Sequence, residues 1–126
     1  MSIYAVILDQ DSQNRLLKHF LDEFPPSGWT VKAHHVTVSV DNLPEEFKPY
    51  VNSEIPIKVV GYGKSDMAIA AQVEIEHEVI ESQNTIPHIT LFINEEAGAK
   101  PVMSNNIKMW QKIDSQIELN GVFKKL

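Results

Sequence analysis

Apolar residues at every second position constrain this chain more than any other feature. Met67, Ile69, Ala71, Val73 and Ile75 alternate with Ala68, Ala70, Gln72, Glu74 and Glu76. Side chains of a strand point alternately to its two faces, so such a row predicts a strand with its apolar face on a core. Residues 55–64 form the matching arm of a hairpin that turns at Ser65-Asp66. Within it, Gly61 and Gly63 flank Tyr62 and predict a bulge. Ala68 and Ala70 are small and leave space beside them, as the floor of a groove does. The same alternation gives a strand over residues 2–8 with Tyr4, Val6 and Leu8 on one face. It gives another over residues 113–123, with Ile113, Ile117, Leu119 and Phe123 aligned.

Two further strands carry a polar row with chemical content. His35-Val36-Thr37-Val38 lies in a strand predicted over residues 29–40, and His88-Ile89-Thr90-Leu91 in one over residues 86–93. Each reads His, apolar, Thr, apolar. His35 and Thr37 share one face, His88 and Thr90 another, and the valine, isoleucine and leucine rows take the core side. Histidine titrates near neutral pH, so one imidazole can accept a proton while the other donates one. The threonine hydroxyls can hold phosphate oxygens beside them. Two such strands facing each other across a groove assemble a base, an acid and two donors for in-line cleavage of a phosphodiester without a metal. By alternation His34 points away from His35 and stands outside this set.

This pair of motifs resembles the signature of the 2H phosphoesterase superfamily. That superfamily includes LigT-like proteins, RNA 2′,3′-cyclic phosphodiesterases and phage enzymes that degrade cyclic oligonucleotide defence signals. The resemblance implies catalytic roles for His35, Thr37, His88 and Thr90, with no cofactor and no metal. It implies a small nucleotide as substrate, either a cyclic oligonucleotide or a 2′,3′-cyclic phosphate terminus. A module that binds and sequesters a cyclic nucleotide without cleaving it is the alternative. Tyr4, Tyr62 and Lys64 are candidates for base or phosphate contact. Lys100, Ser104 and Asn105 follow the second motif closely enough to reach a bound phosphate.

Ser12 is the expected N-cap of a helix running to about Phe24, with Leu16, Leu17, Phe20, Leu21 and Phe24 at helical spacing. Pro25-Pro26-Ser27-Gly28 ends it. Residues 45–50 and 101–110 predict two shorter helices. Each half of the 126-residue chain therefore holds one motif strand and helical segments. The expectation is one α+β domain, residues 1–126, with pseudo-symmetric lobes of roughly 1–50 and 51–126. A largely antiparallel curved sheet surrounds a central groove, with helices outside.

Charge narrows the partners. A formal charge of −6 argues against a long duplex, which needs a basic face, and leaves room for a small anion held by local donors. The apolar run 3–8 is too short to span a membrane. The absence of cysteine excludes a disulfide framework and suits a reducing cytoplasm.

Overall fold

The computed structural model describes residues 2–21 and 28–126, the side chains of Leu21, Ser115 and Gln116 excepted. Every alternating row becomes a strand. β1 spans Ile3–Leu8, β2 Thr30–Val31, β3 His35–Val40, β4 Glu54–Lys64, β5 Ala68–Ile75, β6 His88–Ile93 and β7 Trp110–Lys125. The helix α1 covers Gln10–Leu21, and 3-10 turns cover Glu45–Tyr50, Glu95–Ala97 and Pro101–Asn106.

All strand pairs are antiparallel. Their order is β6-β3-β1-β7-β4-β5, and β5 pairs back onto β6. Six strands thus close into a barrel, with β2 added beside β6. This corrects the expected two-lobed α+β sheet around a central groove with helices outside. A period of two tells which face of a strand is apolar. It does not tell whether that face meets a layer of helices or the other strands of its own sheet. Here Val6, Val36, Val38, Ile57, Leu119 and Ile89 all lie in one fully buried cluster inside the barrel.

β7 makes the closure possible. It pairs with β1 through residues 121–125 and with β4 through residues 110–122. The first strand is therefore tied to the hairpin by one long partner, and closure leaves no bare edge among the six.

α1 and the 45–50 turn add side chains to the core. α1 follows β1, and its Leu16 and Phe20 enter the core cluster. Its cap is Asp9, not Ser12: the Ser12 N–H donates to Asp9 Oδ1 at 2.7 Å. That bond holds the Asp9 carboxyl below the usual carboxylate range. Ser12 itself is buried, and its hydroxyl accepts the Asn120 N–H at 2.8 Å, fastening α1 to β7. Phe47 and Ile80 enter the same core from segments that follow β3 and β5. The predicted helix end at Phe24 and the turn at Pro25-Pro26-Ser27 lie outside the described residues. The predicted helix over 101–110 is a 3-10 turn that stops at Asn106, because Trp110 already belongs to β7. Among the described residues no helix is long and apolar enough to cross a membrane.

Candidate functional site

The two motif strands are hydrogen-bonded neighbours rather than opposite walls of a groove. β3 and β6 pair through Val36 and Ile89, whose side chains fill the barrel. One step either way along an antiparallel pair sets His35 opposite Thr90 and Thr37 opposite His88, on the outer face. Each histidine therefore has a threonine two residues along its own strand and another directly across.

All four side chains line one cavity of about 640 Å³. That volume lies within the range of small-ligand pockets. Pro101, Val102 and Asn105 form part of its wall from the 3-10 turn that follows β6, and Ile3 and Leu126 contribute from the other side. Lys32 lines it too, and among the described residues no Asp or Glu does. Lys32 forms an ion pair with Glu95 at 3.6 Å with both groups well exposed, a contact of small energy.

Burial sets the state of His35. Loss of water around the ring disfavours the imidazolium, and His34 and His88 nearby add to the effect. Its pKa falls to about 4. His88 is oriented by the backbone: its Nδ1–H donates to the Ile86 carbonyl at 2.8 Å, leaving Nε2 for other partners. Thr90 Oγ1 lies 2.8 Å from Ser104 Oγ and 3.3 Å from the Pro101 carbonyl.

The strand predicted over residues 29–40 is broken, and this moves His34. Between the pairs Val31–Phe92 and Val36–Ile89 one strand advances five residues while β6 advances three. The surplus forms a bulge in which Ala33 takes a left-handed conformation at φ 50°. Backbone bonds from Lys32 N to Leu91 O at 2.7 Å and from Ala33 N to Thr90 O at 2.8 Å pin it. Alternation restarts after the bulge, so His34 does not point away from His35. It lines the cavity, with its Nδ1 3.0 Å from His35 Nδ1.

The remaining predicted contacts are dispersed. Tyr4 packs in the core, its ring 6.2 Å from Phe123. Tyr62 lies 6.0 Å from the Phe20 ring and donates its hydroxyl to Gln111 Oε1 at 2.8 Å. Lys64 and Lys100 are exposed at the ends of their elements. None of these four lines the cavity. Ser104 is fully buried behind Thr90, so it orients that hydroxyl and does not itself meet a ligand in the large cavity. Ala68 and Ala70 are buried on the strand beside the 99–106 segment, where Ala68 packs with Ala99 and Met103, so they make room for chain and not for ligand.

A second hollow of about 290 Å³ adjoins the first. His88, Asn84 and Asn105 line both, and Gln83, Ile107 and Trp110 line only the smaller. The side chains of Asn84 and Asn105 make no hydrogen bond among the described residues, and the Trp110 and His88 rings lie 6.0 Å apart. Alternation could not have found Lys32 or Asn84, since a bulge and a loop deliver them.

No family model and no curated protein matches the chain. The likeness to 2H phosphoesterases thus rests on the two motifs alone.

Proposed function

We propose that this chain is a metal-independent phosphodiesterase that cleaves a small nucleotide phosphodiester, a cyclic oligonucleotide or a 2′,3′-cyclic phosphate. The observation that carries this is the meeting of His35, Thr37, His88 and Thr90 on one cavity, each histidine beside two threonines. Lys32 on the lining, with no Asp or Glu side chain there among the described residues, suits an anionic ligand even in an acidic chain.

His35 is unprotonated at neutral pH and is the general base. Its Nδ1–H donates to His34 Nδ1, which frees Nε2 to take the proton of a 2′-hydroxyl or a water. His34 is then a positioning residue that selects the His35 tautomer. His88, held through Nδ1, protonates the leaving oxygen from Nε2. Thr37 and Thr90 donate to the non-bridging oxygens and stabilise the charge that grows on them. The Thr90 hydroxyl donates to the Pro101 carbonyl at 3.3 Å, and with Ser104 Oγ 2.8 Å away to donate to Thr90 in turn, the Thr90 hydrogen can swing from that carbonyl to the phosphate.

The test is a panel of cyclic mononucleotides, cyclic di- and trinucleotides and RNA ending in a 2′,3′-cyclic phosphate, assayed with and without EDTA. Turnover should persist in the chelator, and His35→Ala and His88→Ala should each lower it about 10²–10⁴-fold. Loss in EDTA with recovery on adding a divalent ion would overturn metal independence. Tight binding with no product from any member of the panel would make the protein a sequestering module.

A further inference from the structure

We propose that the smaller hollow beside His88 is a nucleobase subsite. This rests on the phosphodiesterase reading, since it takes the phosphate of the same ligand to lie between His35 and His88. At about 290 Å³ the hollow stands at the lower end of ligand pockets, room for one flat ring system and not for a second nucleotide. It opens onto the larger cavity through shared His88, Asn84 and Asn105. A base attached to the bound phosphate through its ribose is therefore within reach.

The lining has the chemistry of base recognition. Among the described residues no lining side chain apart from His88 is ionisable near neutral pH, so the hollow suits a neutral polar group rather than a second phosphate. Trp110 supplies an aromatic face. Its ring packs on β4 against Gly63, where a methyl group would come within 2.8 Å of the indole and 2.6 Å of Ile107. The indole Nε1–H donates to the Ile107 carbonyl at 3.2 Å, which fixes the plane of the ring. Three carboxamides line the same hollow. Gln83 has its oxygen occupied by the Val40 N–H at 3.2 Å, so it offers its NH₂ group. Asn84 and Asn105 have both ends of their amides available to a ligand. A rigid aromatic plane with amide donors and acceptors at its rim matches the stacking face and the polar edge of a base.

The experiment is calorimetric titration with the 3′-monophosphates of the four nucleosides, and with ribose 5-phosphate as a probe lacking a base. Nucleotides should bind at least about tenfold more tightly than ribose phosphate, the scale of one base stack. Trp110→Ala should erase that difference and leave ribose phosphate unchanged, while Trp110→Phe keeps most of it. Asn105→Ala, on an exposed turn, provides a variant that does not depend on strand packing, and should change the ranking among the bases. Equal affinity for nucleotides and ribose phosphate, no nucleotide binding at all, or an equal loss for both ligands in Trp110→Ala would overturn the subsite. Cleavage without base-dependent binding removes the subsite and spares the phosphodiesterase. Base-dependent binding without cleavage does the reverse.

Discussion

At the scale of single residues the distinctive group is His35. Its pKa of about 4 means that the folded protein keeps it neutral while the unfolded chain protonates it near 6.5. The unfolded state therefore binds more protons between those values. The stability from this group is complete above about pH 6.5 and is lost as pH falls through about 4. A plot of melting temperature against pH should be flatter across that window in His35→Gln than in the wild type. The same depression puts the acid limb of the rate profile below the ordinary histidine range. His34→Ala removes both a charge that lowers the His35 pKa and the partner of its Nδ1. That variant should move the acid limb upward and lose roughly tenfold or more in kcat, within the range of one acid–base contribution. An unchanged profile in His34→Ala would mean that the Nδ1 contact plays no part.

At the scale of elements, the bulge before β3 brings His34 and Lys32 to the cavity. Its keystone is Ala33, fully buried and at φ 50°. An L residue in that region is strained, and a β-branched one far more so. Ala33→Val should cost about 1–3 kcal/mol by denaturant unfolding, through strain and overpacking together. It should also impair turnover more than its stability loss explains, because the bulge sets His35 beside His34. The bulge shows where legibility ended. Strict alternation places each histidine on the face of its own threonine, as the cavity has them, because the register shifts of both strands, at Val38 and Leu91, come only after Thr37 and Thr90. It failed at His34, one residue outside β3, because nothing in Trp29-Thr30-Val31-Lys32-Ala33 announces a left-handed alanine. Ser104 failed for a related reason: its closeness to the second motif in sequence was evident, but whether it faced ligand or Thr90 depended on how the 101–106 turn lay on the sheet.

For the whole molecule, the strands were legible and the way they close was not. The row of β5 identifies its inward face without any structure, whereas the rows of β3 and β6 do so only up to their register shifts: Val40 lines the outer cavity, and Phe92 takes the place in the core cluster expected for Ile93. Only the length of β7 and its two registers join the first strand to the hairpin, and the partner of a strand is not written in its own alternation. Phe123 stands at that seam, fully buried with Tyr4 at 6.2 Å and Phe47 at 6.4 Å between ring centres. Phe123→Ala should cost about 3–5 kcal/mol. Single domains have about 5–15 kcal/mol in total, so the variant should unfold at much lower denaturant or fail to accumulate. A small shift in the midpoint would show that β1, β7 and the 45–50 turn do not depend on this side chain.

Past Val36, β3 borrows hydrogen bonds from the 82–84 segment. Ser82 Oγ donates to Thr37 O at 2.7 Å, Gln83 N donates to Val38 O at 2.8 Å, and Val40 N donates to the Gln83 side chain. The residues that bolt this segment to the barrel are the ones, or the neighbours of the ones, that look into the two hollows. An occupant that hydrogen-bonds to Gln83 or Asn84 binds this flank closed and not opened, so ligand added to the protein should raise the hydrogen-exchange protection of the Gln83 and Val40 amides.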